Sequence, residues 1–404
     1  MTQQQQVGKR NLAIMWFANF FVAGSMTMVM PFLSLYIETF GNFSDEYVKN
    51  WSGITFGITF VTALLFSPII GRMGDKFGRK KILIFMGIGM GISMFLLGLA
   101  NTVMELFILR LLMGFFSGFI PLSQAFISTQ TPKEIAGRVL GTLQTGSITG
   151  SLIGPMIGGV LADTMGYAFT FQSTSFFILL SGMLVFTVKE YRIGITEKTK
   201  KHYSSKEVWY HILKNPLLLN VMLISTLVQI ANFSIQPILS LYVVELHGLE
   251  NIALFSGIAF SAAGLGNLFM ARKWGALADR IGYLKILVIL LLLSAVIYLP
   301  GAFVTNIWQL VLIRFALGLT LGGVIPVRVA YIRQEAPIEM QGEVLGYNTS
   351  LRFLGNIIGP LLGGFLSGWF GISSVFYITS SLLLVSGFIL IASMQRHPEL
   401  VRNH

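Results

Sequence analysis

The residues most able to do chemistry are charges set within long apolar segments. Arg110, Arg314 and Arg352 interrupt such segments, where an unpaired charge in lipid costs at least about 2.5–3.5 kcal/mol and marks a functional site. The carboxylates Glu38 and Glu245 lie at the ends of similar segments. A carboxylate that meets Arg110 in one conformation only could exchange a proton against a substrate. The alternative is that both glutamates are solvated charges at the membrane rim.

Amide side chains and one further arginine, Arg328, provide polar groups inside the same segments. Each is able to contact a substrate, although an interhelical hydrogen bond is the simpler role for any one of them. Arg352, and Arg328 if it does not extend to the cytoplasm, could hold an anionic or zwitterionic substrate. The expected cavity residues are Asn19, Gln124, Gln144, Gln229, Asn232, Gln236, Asn348 and Arg352.

Composition identifies the elements that must position these groups. The chain has 404 residues, of which 54% are hydrophobic and 11% charged, whereas soluble domains have about 25% charged residues. Apolar runs of roughly 20 residues, enough to cross a bilayer, predict an all-α membrane protein with twelve transmembrane helices. Their approximate ranges are 11–38, 51–71, 82–100, 103–127, 138–162, 167–189, 216–244, 252–271, 286–304, 307–331, 343–368 and 372–394.

The distribution of Lys and Arg predicts the orientation. Even-numbered connections are basic, as at Arg72, Lys76, Arg272 and Lys285, whereas only the first odd-numbered connection carries such a residue, Lys49. Cytoplasmic loops are the basic ones, so we expect a multi-pass protein of the bacterial cytoplasmic membrane with both termini in the cytoplasm. This pattern explains the net charge of +11 without a nucleic-acid partner, and we expect a monomer in the lipid bilayer.

Several classes of function are disfavoured by what the sequence lacks. There is no cysteine, which excludes thiolate metal sites and cysteine nucleophiles. There is no G-x-x-x-x-G-K-[ST] phosphate loop and no H-E-x-x-H or G-x-S-x-G motif, so neither an ATPase nor a hydrolase is expected. We therefore expect no enzyme activity, no cofactor and no metal, and an ion gradient as the energy source.

The chain repeats itself. "PFLSLY" from Pro31 matches "PILSLY" from Pro237, and "GSLIGPMIGGV" from Gly150 matches "GNIIGPLLGGF" from Gly355, at offsets of 204 to 206 residues throughout. Six spans followed by six equivalent spans indicate a parallel repeat, as in transporters with a site between two halves; a duplicated channel is the alternative. We predict two pseudo-symmetric six-helix bundles, 1–190 and 216–404, joined by a cytoplasmic linker, 191–215, with a short amphipathic helix.

The repeated glycines occur every four residues, which places them on one helix face. A neighbouring helix can then approach backbone to backbone and slide, and a proline in the same register loosens each helix. Ordinary close packing is the alternative. The predicted pivots are Gly141, Gly150, Gly154, Pro155 and Gly158 in the fifth span and Gly355, Gly359, Pro360 and Gly363 in the eleventh.

A second repeated signature follows the second and eighth spans. "GRMGDKFGRKK" from Gly71 is echoed by "GALADRIGYLK" from Gly275. Glycines allow a tight turn, and a carboxylate among cations favours a neighbouring helix N-terminus. The expected conformational latch comprises Gly71, Gly74, Asp75, Gly78, Arg79, Asp279 and Arg280.

These motifs resemble those of a known family. The Gly71 stretch resembles the loop signature of the major facilitator superfamily, "RLLMG" from Arg110 its fourth-helix signature, and the glycines from Gly141 the fifth-helix pattern of antiporters. Stretches such as "LGTLQTGSITGSLIGP" resemble bacterial multidrug-efflux pumps of the MdtG and PmrA type, in the twelve-helix drug:proton antiporter branch. The resemblance implies the major facilitator fold and proton-coupled export of drug-like small molecules by alternating access. The alternatives are a dedicated carrier of one metabolite, anionic compound or lipid, and a non-transporting receptor or scaffold.

Overall fold

The computed structural model describes residues 3–131, 135–190, 204–337 and 340–399, apart from the side chains of 3–7, 75, 136 and 137. The regular elements in these ranges are all helical, and twelve of the spans are long and apolar enough to cross a membrane, which confirms the expected all-α membrane fold. The α-helices are α1 Gln3–Met28, α2 Leu33–Glu38, α3 Asp45–Phe77, α4 Arg79–Leu97, α5 Val103–Phe116, α6 Phe119–Thr129, α7 Ala136–Met165, α8 Tyr167–Phe186, α9 Ser205–Lys214, α10 Pro216–Ser234, α11 Leu239–His247, α12 Ile252–Ile281, α13 Tyr283–Tyr298, α14 Ile307–Glu335, α15 Gln341–Phe370 and α16 Ile372–Arg396.

The first and seventh spans are each interrupted once. Short 3₁₀ turns, Met30–Phe32 and Gln236–Ile238, separate α1 from α2 and α10 from α11. Each turn contains the proline of the repeated "P-x-L-S-L-Y" motif, and a proline inside a helix removes one backbone donor and clashes with the preceding turn. The motif therefore marks a break at the same point of each half.

The tyrosine that ends this motif anchors the segment after the break. The Tyr36 hydroxyl lies 3.1 Å from the carbonyl oxygens of Leu97 and Ala100, and the Tyr242 hydroxyl donates to the carbonyl oxygen of Gly301 at 2.9 Å. Both tyrosines are buried. A buried hydroxyl needs a hydrogen-bond partner. Here the partners are backbone carbonyl groups, at the C-terminal end of α4 for Tyr36 and just after α13 for Tyr242.

The chain forms two compact units. Unit 1 contains residues 1–44, 54–196 and 248–261, and unit 2 contains 45–53, 197–247 and 262–404. In unit 1, α7 and α8 pack against α1, and α8 packs against α4; in unit 2, α15 and α16 pack against α10, and α13 packs against α14 and α16. The division into residues 1–190 and 216–404 stays a prediction, and positions 191–203 of its linker lie outside the described residues.

The short helix in the linker is α9. Its N-terminus is closed by a reciprocal pair of hydrogen bonds: the Glu207 amide donates to Ser204 Oγ at 3.4 Å, and the Ser204 amide donates to Glu207 Oε2 at 2.7 Å. Val208 and Ile212 are fully buried on one face, and Trp209 packs on the Tyr347 ring with centroids 4.6 Å apart. α9 therefore docks its apolar face inside unit 2.

Candidate functional site

The repeated glycines form a close contact between α1 and α7, which we call the first seam. A Cβ atom added at Gly150 would overlap the carbonyl oxygen of Phe20, and one added at Gly158 would overlap that of Met28. At Gly154 the added atom would overlap the carbonyl oxygen of Gly24. The two backbones are in direct contact at these positions, so no side chain larger than hydrogen fits.

The second seam, between α10 and α15, repeats this arrangement in unit 2. An added Cβ at Gly355 would lie 2.6 Å from the carbonyl oxygen of Thr226, and one at Gly359 would lie 2.8 Å from that of Ile230. At Gly363 it would overlap the carbonyl oxygen of Ser234. Three of the four predicted pivot glycines in the fifth span, and all three in the eleventh, therefore line backbone contacts.

The fourth predicted pivot glycine is different. An added Cβ at Gly141 would meet nothing within 4 Å, and the same holds at Gly346, the equivalent position of α15. The family pattern includes these glycines, but the described packing does not require them. They provide matched positions at which an alanine has room.

At their prolines, helices α7 and α15 each approach a second helix, α12 and α3 respectively. An added Cβ at Gly257, near the start of α12, would overlap the carbonyl oxygen of Pro155, both within unit 1. One added at Gly53, near the start of α3, would overlap that of Pro360, both within unit 2. Helices α7 and α15 continue through these prolines. Each half thus has a proline at the same position of its helix, and the carbonyl oxygen of that proline lies in a second close backbone contact.

Polar side chains line the second seam. The Ser225 hydroxyl donates to Asn348 Oδ1 and the Gln229 amide donates to Asn356 Oδ1, each at 2.7 Å. Asn348, Arg352 and Asn356 recur every four residues along one face of α15. Three predicted cavity residues, Gln229, Asn348 and Arg352, are therefore brought to one interface, together with Ser225 and Asn356, which the sequence analysis did not select.

The remaining cavity candidates are scattered. In unit 1 Asn19 is fully buried and accepts a hydrogen bond from the Ser123 hydroxyl at 2.8 Å, whereas Gln124 is half-buried and Gln144 is exposed on the surface of its unit. In unit 2 Asn232 and Gln236 are half-buried. Among the described residues, only the second seam gathers several of the candidates.

Three of the arginines within the spans are buried and Arg352 is half-buried, and their surroundings differ. Arg110 in α5 is packed with its guanidinium 5.4 Å from the centre of the Phe56 ring and one nitrogen 4.0 Å from Met113 Sδ. Arg314 in α14 is 4% exposed. Arg328, also in α14, is 0% exposed, so it does not extend to the aqueous surface.

The two glutamates proposed for proton coupling are exposed. Glu38 is the last residue of α2, and Glu245 lies near the end of α11. Each follows the buried tyrosine of its repeated motif. Their places in the two halves differ by one residue, since Glu38 follows Tyr36 by two positions and Glu245 follows Tyr242 by three. Their exposure agrees with either a solvated rim charge or a group that takes protons from water.

The first latch signature is mostly helical, which differs from the tight turn expected there. α3 continues through Gly71 and Gly74 to Phe77, and only Gly78 breaks the chain, with φ +95°. An added Cβ would meet nothing at Gly71 but would lie 2.9 Å from the Leu122 side chain at Gly74. The side chain of Asp75 lies outside the described residues. One glycine with a left-handed φ therefore suffices for this turn.

A different carboxylate occupies the helix N-terminus beside this turn. Glu190 accepts from the backbone amides of Arg79 at 2.9 Å and Lys80 at 3.3 Å, at the start of α4. The Arg79 guanidinium also contacts the carbonyl oxygen of Ala125. The expected arrangement of a carboxylate at a helix N-terminus is thus made by Glu190, which is remote in sequence and follows α8.

The second latch signature is also helical as far as Ile281, and Gly282 turns the chain with φ +106°. Here Asp279 accepts a hydrogen bond from the Tyr283 hydroxyl at 2.6 Å, and Arg280 is exposed. The turn geometry is shared by the two halves.

Two contacts near the ends of α7 and α15 were not anticipated. Asp163 accepts from the backbone amides of Ala253 at 3.1 Å and Leu254 at 2.7 Å, at the N-terminus of α12 within unit 1. Trp369 donates from Nε1 to Glu46 Oε1 at 2.9 Å, in the first turn of α3 within unit 2. Both contacts lie beyond the Gly257 and Gly53 crossings, and only long-range packing could have identified them.

The whole sequence can be assigned to a family of known proteins. The family model of the Major Facilitator Superfamily matches residues 15–273 and 253–403. The chain belongs to this superfamily. It is therefore a membrane-embedded transporter for small molecules and not an enzyme.

Relatives extend along nearly the whole chain. The uncharacterized MFS-type transporter YuxJ of Bacillus subtilis is 52% identical over 379 residues, covering 93% of this chain and 96% of that one. The multidrug resistance protein MdtG of Salmonella typhi is 38% identical over 391 residues, covering 96% of each. A bacterial homolog of the human lysosomal transporter Spinster, in an inward-facing and occupied conformation, has a TM-score of 0.80 at 13% identity, covering 98% of this chain and 97% of that one. At 13% sequence identity, the similarity to this structure shows a shared fold only.

Proposed function

We propose that this superfamily member exports drug-like compounds across the bacterial cytoplasmic membrane by alternating access, in exchange for protons. The observation that carries the proposal is the 38% identity with multidrug resistance protein MdtG over 96% of both chains. The sequence adds that no phosphate loop is present, which favours an ion gradient as the source of energy.

The seams supply a mechanism for the conformational change in this proposal. Where glycine backbones touch, no long side chains interlock, so one helix can tilt or slide along the other without changing rotamers. Both seams run over three successive glycines of α7 and α15. The same two helices carry the Pro155 and Pro360 crossings, so movement at a seam and movement at a crossing are mechanically linked.

Proton coupling is assigned in this proposal to Glu38, Glu245 and Arg110. The glutamates are exposed at nearly equivalent places and can take protons from water, and the buried Arg110 carries a positive charge. Glu38→Gln and Glu245→Gln remove the proton-binding groups while preserving shape. We expect both variants to reduce substrate-induced proton movement at least tenfold in inverted membrane vesicles, measured with a pH-sensitive dye. Glu250→Gln, on a nearby exposed turn, is the matched control; full proton-driven export in both test variants would remove the glutamates from the mechanism.

The transport experiment compares cells with and without the protein. Ethidium accumulation is followed by fluorescence before and after a proton uncoupler, with expression levels matched by immunoblot. We expect at least several-fold lower accumulation in expressing cells and loss of the difference on uncoupling. Equal accumulation in both strains across a panel of dyes and antibiotics would reject multidrug export, and a difference that survives uncoupling would reject the proton as the driving ion.

Orientation and oligomeric state belong to the same proposal: both termini in the cytoplasm and a monomeric transporter. Because the chain has no cysteine, single cysteines can report topology directly. Leu213→Cys and Leu249→Cys introduce thiols at side chains that are 60% and 81% exposed. A membrane-impermeant maleimide applied to intact cells should label position 249 and not 213, and light scattering of the purified protein should give the mass of one chain.

A dedicated carrier of one anionic compound is the second candidate. It is favoured by two arginines of unit 2, the buried Arg328 and the half-buried Arg352, which a transporter of cationic drugs does not need. The panel of dyes and antibiotics separates the candidates, because a dedicated carrier would lower the accumulation of one compound only.

A further inference from the structure

Arg328 has an unusual environment for a buried cation. Its side chain is 0% exposed, and none of its three guanidinium nitrogens has a hydrogen-bond partner among the described residues. In Arg110, by comparison, two of the three guanidinium nitrogens have no such partner, and the group lies against an aromatic ring and a sulfur atom. A buried charge is normally paired or hydrogen-bonded, and the described residues supply no hydrogen-bond partner for the Arg328 guanidinium.

A second cation adds to this deficit. Arg352 lies on α15, which packs against α14, the helix that carries Arg328. Its Nε atom is also buried and has no hydrogen-bond partner among the described residues. Two cations on neighbouring helices of unit 2 therefore both have buried guanidinium atoms without a hydrogen-bond partner in the described part of the chain.

The neighbouring acidic groups on the same helices are engaged elsewhere. Glu335 lies seven residues beyond Arg328, roughly 10 Å along the helix axis, and accepts from the Asn215 amide at 2.7 Å. Glu343 lies nine residues before Arg352, roughly 13 Å along the axis, and accepts from the Tyr347 hydroxyl at 2.8 Å. Neither forms an ion pair with the arginines in the described part of the chain.

The amides beside Arg352 are also occupied. Asn348 and Asn356 stand one turn before and one turn after it on the same face of α15. Their Oδ1 atoms accept hydrogen bonds from Ser225 and Gln229 across the second seam. These bonds hold α10 and α15 together around Arg352 and leave its guanidinium to interact with something else.

We propose that Arg328 and Arg352 form the binding site for the anionic group of a transported organic anion, such as a carboxylate, phosphonate or sulfonate. The planar forks of two guanidinium groups match the oxygens of such a group and can hold it by paired, charge-assisted hydrogen bonds. The bound anion supplies the countercharge that the described residues lack. The inference rests on the proposed transport function and names one substrate class for it.

The binding test uses purified full-length protein in nanodiscs. The probes are benzoate, phenylphosphonate and benzenesulfonate, with neutral methyl phenyl sulfone as the uncharged match, and binding is read as a ligand-dependent shift in the melting temperature. We expect stabilisation by at least one of the anions and none by the sulfone. Arg352→Gln should weaken the apparent affinity at least tenfold, whereas Arg272→Gln, at an exposed arginine of the same unit, should retain it.

A second variant protects the test against misfolding. Arg352→Lys retains the charge and loses the fork, so it should fold and bind the anion with intermediate affinity. The site is overturned if none of the three anions stabilises the wild type, if the sulfone stabilises equally, or if Arg352→Gln binds as well as Arg272→Gln.

Transport distinguishes failure of this inference from failure of the proposed function. Export of a fluorescent organic anion, carboxyfluorescein, and of the cation ethidium is measured in parallel. A tenfold lower ratio of anion to cation export in Arg352→Gln than in Arg272→Gln supports the site. An unchanged ratio with active export rejects the site alone; absence of all export, with intact anion binding to the purified protein, rejects the proposed function alone.

Discussion

The first and second seams have the same backbone and different chemistry. Gly158 lies against the carbonyl oxygen of Met28, and Gly363 lies against that of Ser234, so the close approach is duplicated down to single atoms. Along the second seam, however, Ser225 and Gln229 bond to asparagines of α15. The first seam has no equivalent amide pairs among the hydrogen bonds of the described residues.

The difference is sharpest at the arginines. At the offset of 205 residues that aligns Pro121 with Pro326 and Gly150 with Gly355, Arg328 corresponds to Ser123 and Arg352 to Ser147. Since unit 1 is built on the same seam without these cations, the fold does not require them. The comparison teaches that the close backbone contact is present in both halves, whereas two arginines stand in unit 2 where unit 1 has serines.

The strongest way to break the comparison is to fill the seams. Gly158→Leu and Gly363→Leu place a side chain where a single Cβ already overlaps a backbone oxygen. Overpacking typically costs about 1–3 kcal/mol and occasionally more, and rigid backbone on the other side puts these variants at or above the top of that range. We expect loss of folded protein or at least a tenfold loss of export from both, measured by size-exclusion profile and by dye accumulation.

The matched controls are Gly141→Ala and Gly346→Ala, where an added Cβ meets nothing within 4 Å. Replacing a helical glycine by alanine gains about 0.8–1 kcal/mol of helix propensity, so these variants should be as stable as the wild type or more so. If Gly141→Ala were as damaging as Gly158→Leu, the seams would not be the reason for the repeated glycines.

The second test compares equivalent positions with opposite expected signs. Arg328→Met removes an uncompensated buried charge and preserves volume, and should raise the stability of the ligand-free protein by up to about 2.5–3.5 kcal/mol. Ser123→Ala removes the hydroxyl that donates to Asn19 and should lower stability by about 1 kcal/mol. Thermal unfolding in nanodiscs measures both; a destabilised Arg328→Met would show that the protein already satisfies this charge.

Sequence reasoning identified the fold and the seams because both depend on patterns that are local or repeated. Span length follows from hydropathy, and glycines four residues apart share a helix face wherever that helix is placed. The sequence does not reveal that α7 packs against α1 and α15 against α10. The repeated glycines indicate only that the backbone of some neighbouring helix lies close to each of these helices.

The candidate site was harder to predict because it depends on which helices meet. Arg328 was recognised as an intramembrane cation, but nothing in the linear sequence could decide whether it is buried or solvated. Ser225 and Asn356 are individually ordinary residues that gain importance only through partners more than a hundred positions away. For the same reason the carboxylate at the start of α4 is Glu190, which no motif indicated.

The smallest expected effects lie at the ends of α7 and α15, where the two halves use unlike contacts. Asp163→Asn removes a negative charge from the α12 N-terminus and should cost about 0.3–1 kcal/mol, with export reduced less than tenfold. Trp369→Phe removes one exposed hydrogen bond to Glu46 and should cost about 0.5–1 kcal/mol or less. Because both contacts support a glycine crossing already fixed by backbone packing at Gly257 or Gly53, neither variant should unfold the protein.

Thermal unfolding at low and high salt separates the two contacts. The loss of stability in Asp163→Asn should shrink with added salt, since helix-dipole interactions are screened, and the loss in Trp369→Phe should not. Equal salt dependence of the two deficits would mean that the contacts act in the same way and that this asymmetry between the halves is superficial.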